Sequence, residues 1–295
     1  MGKFKFMAAA AAALALAACM LAGCSSNSAA SSSSAAASGS AASSSSAAAS
    51  SEAASAQAGD IDTLVVGFDN SYPPYGYIGD DGQYTGFDLD LAAEVADRNG
   101  WGIELKPIDW DAKDALLNQG QVNCIWNGFT MEGRESDYAF SDPYMLNQQV
   151  IVVKEGSGIQ SEEDLAGKVV ITQIDSAALD VLQGDKADLA ATFASLDQIS
   201  DYNNAFMQLE AGTVDAVACD LSIAAYQLAA NPGAYVQLEE PLSSEHYAVG
   251  FAKGDTALAQ KVSDTLREMY ADGFVAELCA QYEPMGIELD NWILK

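Results

Sequence analysis

His246 is the only histidine in 295 residues, so imidazole chemistry has one possible base and no second ring to work with. It follows a Ser-Ser-Glu run, which suits a surface or hinge position better than a proton-transfer site. The chain has no G-x-S-x-G elbow, P-loop, dinucleotide fingerprint or H-E-x-x-H helix, so triads, nucleotide chemistry and zinc hydrolysis lack support. The acids of Asp80-Asp81-Gly82 and Asp88-Leu89-Asp90 lack calcium-loop spacing and read as a solvated turn and a helix start. Cys124, Cys219 and Cys279 are odd in number, widely spaced and outside any C-x-x-C, which gives neither a disulfide framework nor a zinc site. Cys124 and Cys219 lie in apolar runs and read as small core residues. No catalytic residue, metal or cofactor is expected, and the remaining chemistry is recognition through charge, hydrogen bonds and aromatic faces.

The elements that would position such a site alternate between strand and helix. A strand is expected at 63–68, then a helix at 87–99 whose Leu89, Ala92, Ala93 and Ala96 share a face, with Asp88 able to cap its start and Gly100 to end it. A strand near 103–108, a helix near 111–119 and a strand at 122–126 complete a βαβαβ unit, the building block of mostly parallel sheets. A second unit runs through a strand at 168–172, a helix from Ser176, a strand near Ala190, a helix at 202–211 and a strand at 214–219. The halves rhyme: "ALLNQGQVNCIWNG" at 115–128 and "MQLEAGTVDAVACD" at 207–220 share a helix end, a glycine, a buried strand and a polar residue. Two similar α/β lobes would therefore meet at a cleft beyond the carboxyl ends of their strands. Apolar strands at 149–154 and 247–253 fit as two lobe crossings, and two crossings make a hinge. The expected division is 60–148 with 250–295 for one lobe and 149–249 for the other, hinge strands included.

The first residues carry a different message. Lys3 and Lys5 precede an apolar, small-residue run from Met7 to Leu21, the layout of a secretory signal and too short and Ala-rich for a transmembrane helix. The run ends in Leu21-Ala22-Gly23-Cys24, which resembles the lipobox of bacterial lipoproteins, and this resemblance implies cleavage after residue 23 and lipidation of Cys24. Residues 24–59 are dominated by Ser and Ala, a composition that cannot offset its own ordering entropy and reads as a disordered tether. The net charge of −29 becomes −31 once Lys3 and Lys5 leave without any acid, which disfavours nucleic acid and anionic lipid as partners.

Six segments taken in order resemble one family: "VGFDNSYPPYGY" at 66–77, "GFDLDLA" at 86–92, "DWDAKDALLNQG" at 109–120, "IWNGFT" at 125–130 with Arg134, "FSDPY" at 140–144 and "DAVACD" at 215–220. They look like the polar amino-acid substrate-binding proteins of ABC importers, with the type II periplasmic-binding-protein fold, and the likeness covers nearly all of 60–290. That resemblance implies that Arg134 grips the ligand α-carboxylate, a task for which a planar guanidinium fork is suited. It implies that Asn127, Gly128 and Thr130 offer backbone and hydroxyl groups, and that the amides opening the helix at Ser176 and Ala177 face the carboxylate. Asp175 and Ala177 stand where the family usually has glycine and a second hydroxyl residue. Asp220 resembles the aspartate that pairs the α-ammonium, with a helix cap for the run from Ser222 as its competing role. Tyr72 and Trp110 match aromatic walls, while Asp69 and Tyr75 match positions that read the ligand side chain.

The function so implied is an exported receptor, lipid-anchored on the outer face of a bacterial cytoplasmic membrane. It would act as a monomer, close two lobes on a polar or neutral L-amino acid, and deliver it to ABC permease subunits, touching the membrane through its anchor alone. An enzyme on the same scaffold, of the dehydratase kind, and a sensory ligand-binding module are the competing readings. Two buried charges of opposite sign in a closed cleft would each be paired by a zwitterion.

Overall fold

The computed structural model describes residues 61–295, so the expected signal segment, Cys24 and the tether lie outside the described residues. Along the chain run β1 (Thr63–Phe68), β2 (Ser71–Tyr72), β3 (Gly76–Ile78), β4 (Tyr84–Thr85), α1 (Phe87–Asn99), β5 (Gly102–Pro107), α2 (Lys113–Asn118), β6 (Cys124–Ile125) and β7 (Tyr138–Phe140). They are followed by β8 (Met145–Lys154), β9 (Val169–Gln173), α3 (Ala177–Gln183), α4 (Ala187–Ala190), β10 (Ser195–Ile199), α5 (Tyr202–Ala211), β11 (Ala216–Asp220) and α6 (Leu221–Ala230). The last elements are β12 (Tyr235–Gln237), β13 (Ser243–Tyr247), β14 (Gly250–Ala252), α7 (Thr256–Ala271) and α8 (Phe274–Tyr282).

Two sheets repeat one plan. The first has the order β5-β1-β6-β14-β7 and the second β10-β9-β11-β8-β12, with β13 also on β8. In each, three parallel strands in the order second, first, third are joined by an antiparallel strand on the side of the third. The rhyme in the sequence has a structural counterpart. Gly120 after α2 and Gly212 after α5 both take left-handed backbone, φ 66° and 73°, and a buried Val122 or Val214 then leads into a central strand. A residue with a Cβ resists that conformation, which is why glycine ends both helices.

Several expectations are corrected at the level of elements. The strand expected near Ala190 is the short helix α4; the strand follows at β10, an edge strand whose half-exposed, polar alternation carries little apolar signal. The segment 149–154, expected as a crossing, lies inside the second sheet, paired to β11 and β12. The first passage between sheets lies instead at 141–144, while the return at 248–249 falls within the expected crossing 247–253. These passages hold each other: Ser141 N–H donates to Val249 O, Val249 N–H to Ser141 Oγ and Tyr144 N–H to Tyr247 O, each at 2.9 Å. On α1, Ala93 is exposed and the buried face is Phe87, Asp88, Leu89, Leu91, Ala92, Val95 and Ala96. α7 lays Leu258, Val262, Leu266 and Met269 inward at helical spacing and packs against α1.

Candidate functional site

The residues singled out from the sequence gather where strands end. Asp69 follows β1, Asn127 to Thr130 follow β6, Ser176 caps α3 after β9, and Asp220 closes β11. This is the side on which an open α/β sheet offers its ligand crevice. Three cavities line that seam. One of about 360 Å³ is walled by Asp69, Ser71, Asp109, Trp110 and Asp201. A second of about 330 Å³ holds Lys113, Arg134, Asp175 and Asp180, and a third of about 350 Å³ holds Thr130, Ala177, Asp180, Ser243 and Glu245. Tyr75 lines a separate recess with Asn147 and Ser222.

Direct bonds join the two sheets across the seam. Gln173 Nε2 donates to Asp69 Oδ2 at 2.7 Å, and Trp110 Nε1 donates to the Asp175 carbonyl at 3.2 Å. The same carbonyl accepts from Arg134 at 3.2 Å, while Arg134 also reaches Asp180 Oδ2 at 2.8 Å and lies over the Phe129 ring. Arg134 thus engages a carboxylate, and that carboxylate belongs to the protein. Asp175, which stands where the family usually has glycine, is matched by Lys113 Nζ 3.3 Å from its Oδ2. Lys113 is buried against Trp110, and burial followed by the nearby Arg134 charge lowers its pKa.

A second group sits beside the crossings. Asn147 and Gln149 alternate with Leu146 and Gln148 on β8, so both face inward, and register sets them between Asp220 on β11 and Glu245 on β13. Asn147 Nδ2 donates to Asp220 Oδ1 at 2.9 Å and to Glu245 Oε1 at 2.7 Å. Gln149 Nε2 donates to the same two oxygens, each at 2.7 Å. Tyr247 Oη adds a bond to Asp220 at 2.9 Å, and Thr130 Oγ1 one to Glu245 at 2.7 Å. Asp220 makes no side-chain cap to α6, so the competing capping role is not the one its carboxylate plays. Desolvation, opposed in part by these donors, raises the Asp220 pKa; desolvation and then the Asp220 charge push Glu245 up to about 7. Desolvation likewise raises Asp69, with Ser71 N–H and Gln173 opposing it.

Tyr72 and Tyr75 pack on this group: Tyr72 Oη lies 3.4 Å from Tyr247 Oη, and Tyr75 meets the Tyr247 ring edge-on at 5.2 Å. Gly128 takes φ 59°, and a Cβ there would lie 3.1 Å from Tyr247 and 3.2 Å from Tyr72, so its glycine identity is required by space as well as backbone. Its N–H donates to Asp88 Oδ2 at 2.6 Å. Asp88 does lie in the first turn of α1, as expected of a helix start, but it does not cap the helix. It is fully buried, receives Tyr144 Oη at 2.8 Å, and desolvation pushes it up to about 7; Gly86 occupies the N-cap in its place. Asn127, buried at the end of β6, has neither carboxamide atom bonded among the described residues. His246 is half-exposed and paired with Glu132, in keeping with a surface role.

The residues missed from sequence are Asp88, Lys113, Asn147, Gln149, Gln173, Asp180 and Glu245. Alternation holds a signal for three of them: Asn147 and Gln149 share parity with Met145 and Ile151, and Glu245 with Tyr247. The described residues contain no acid, histidine or cysteine group suited to hold a metal ion, and no helix long and apolar enough to cross a membrane.

Residues 64–285 match the family model of the bacterial extracellular solute-binding proteins, family 3. The L-cystine-binding protein TcyJ of Escherichia coli is 28% identical over 223 residues, covering 75% of this chain and 82% of that protein. The crystal structure of an ABC uptake transporter substrate-binding protein from Streptococcus pneumoniae with bound histidine superposes with a TM-score of 0.74. It is 32% identical and covers 77% of this chain and 95% of the other. An ancestral arginine-binding protein bound to glutamine gives a TM-score of 0.70 at 34% identity, covering 78% of this chain and all of the other.

Proposed function

The chain belongs to the bacterial extracellular solute-binding proteins, family 3, and from that premise we propose that it captures a polar or neutral L-amino acid between two lobes and presents it to the permease of an ABC importer. The observation that carries this reading is a separation of charge across the seam. Arg134, held by an exposed carboxylate that a ligand can replace, lies on one side. Asp220, buried and bonded only to neutral donors, lies at the crossings. A zwitterion supplies a carboxylate for the first and an ammonium for the second. Trp110 and Tyr72 wall the site, Thr130, Gly128 and Asn127 offer polar groups from the end of β6, and Ser176 and Ala177 present the opening amides of α3. Asp69 reads the side chain, and Tyr75, in its separate recess, backs the site through its packing on Tyr247. The relatives bind L-cystine, histidine and glutamine by their names, so the side chain is set by few contacts and these amino acids form the first test panel.

In this reading residues 1–23 are removed on export, Cys24 carries the lipid, 24–59 tether the body to the outer face of the membrane, and the passages at 141–144 and 248–249 act as the hinge. A thermal-shift screen of L-cystine, L-histidine, L-glutamine and L-arginine, followed by calorimetry, is expected to find at least one that binds and stabilises. At a hundredfold excess over Kd the gain is about 2.7 kcal/mol. Silence across all proteinogenic amino acids would sink the reading. Lipid-analogue labelling should be lost in Cys24→Ala, and labelling of that variant would refute the anchor.

A further inference from the structure

Among the described residues, Asp220 and Glu245 form a pair with no countercharge. Neither carboxylate lies within ion-pair distance of a lysine, arginine or histidine among the described residues. Both nevertheless reach the same two amide nitrogens, Asn147 Nδ2 and Gln149 Nε2, at 2.7–2.9 Å. Two oxygens that share two such donors are close neighbours, and both side chains are buried. The Gln149 carboxamide reaches into this pair, and its own oxygen, fully buried, has no donor. Acceptors therefore outnumber donors at this spot, and the deficit calls for a positively charged hydrogen-bond donor or a proton.

Other polar and charged groups approach Glu245 from several elements. Thr130, Glu132, Asp180 and Asp185 share its cavity from the β6 turn and from α3 and its following loop. Arg134 in that turn is already engaged by Asp180, and His246, next to Glu245 on β13, is engaged by Glu132. Tyr247 and Tyr72 present hydroxyls whose ionisation burial suppresses. The field at Glu245 is thus negative, so two full charges on the pair are unfavourable until a cation arrives.

We infer that Glu245 acts as the second anionic partner beside Asp220, and that the pair gives up one proton to solvent as the ligand's ammonium arrives, which makes ligand capture pH-dependent. The inference rests on the amino-acid reading above. The bookkeeping is simple: the free pair carries one proton, the ligand enters as its ammonium form, and the complex keeps both carboxylates ionised with the displaced proton in bulk water. Burial and the Asp220 charge push Glu245 up to about 7, which puts the coupling in the neutral range.

The test is calorimetry of the mature protein with L-glutamine, L-arginine and L-cystine in two buffers of different ionisation enthalpy, at about pH 6 and about pH 8. For whichever binds, about one proton should be released near pH 6 and about a tenth of one near pH 8, and affinity should rise about tenfold between them. Glu245→Gln, which keeps an acceptor for Thr130 but removes the second anion, should bind more weakly than the unmodified protein near pH 8, release no proton and show affinity flat across that range. Equal binding enthalpies in both buffers near pH 6 overturn the inference while leaving the amino-acid reading intact. So does a Glu245→Gln protein that still releases the proton. If that variant fails to fold, the proton count of the unmodified protein decides. Failure of every one of these amino acids to bind, in a protein that binds no other, overturns both.

Discussion

Arg134 has two claimants for one guanidinium. Its side chain is well buried while its partner Asp180 is 61% exposed, so the pair sits at the rim, where ion pairs contribute about 0–1 kcal/mol. On the proposed reading a ligand carboxylate would displace Asp180 at little cost. Two outcomes follow. Arg134→Ala should weaken binding by about 2–5 kcal/mol in calorimetry because the ligand carboxylate is stranded; near-normal affinity would show that the carboxylate lies elsewhere. Asp180→Asn should tighten binding by up to about fivefold, since it removes only the competitor. A loss of affinity in that variant would mean that Asp180 helps to hold the closed form. Arg134 was legible because its motif precedes it, whereas Asp180 was not, since an aspartate on a helix face reads as solvated until a second lobe is brought against it.

The carboxylate of Asp88 ties α1 to the turn after β6. It holds the Gly128 N–H and the Tyr144 hydroxyl, and so sets the start of the segment that presents Thr130. Asp88→Ala leaves both donors unpaired in the core and should cost about 2–5 kcal/mol in urea unfolding; a change under about 0.5 kcal/mol would show that the link is dispensable. Gly128→Ala should also destabilise, by about 1–3 kcal/mol, from left-handed backbone and contact with Tyr247 and Tyr72. The pH dependence has a definite sign. Asp88 and Glu245 are both raised to about 7 by burial, so the folded chain binds more protons than the unfolded one between their ordinary carboxylate values and neutrality. That stabilising proton uptake is fully present below the unfolded values and is lost as pH rises through about 7. Melting of the ligand-free protein should therefore fall from about pH 5 to about pH 8, and the fall should be shallower in Asp88→Asn. An identical slope in that variant would place the titrating group elsewhere. At this scale α1 and α5 could be read closely from apolar spacing and a terminal glycine. The edge strand β10 could not, because half-exposed polar residues leave no period to read.

The molecule is two copies of one sheet plan joined by two short passages, bonded to each other through Ser141, Tyr144, Tyr247 and Val249. As the proposed hinge, such a joint would let the sheets turn as bodies. Opening would break polar bonds across the seam, among them the exposed Arg134–Asp180 and Asn203–Ser71 contacts and the buried Gln173–Asp69 bond. A bound amino acid should reduce the radius of gyration in solution scattering. An unchanged radius with binding established would mean that closure does not depend on ligand.

The amino-acid order alone determined the two α/β halves, their matching helix–glycine–strand cores and the alignment of Asp69, Trp110, Thr130, Arg134 and Asp220 along the strand ends, because these rest on local periodicity and on short motifs. What tertiary structure decided is which charges meet. Asp88 turned inward because α1 buries its first turn against Tyr144. Glu245 met Asp220 because two neighbouring strands of β8 set them opposite Asn147 and Gln149. Arg134 found Asp180 because the second sheet carries α3 to the seam. Each of these pairings depends on register and lobe placement between residues far apart in the chain, and no local pattern encodes that distance.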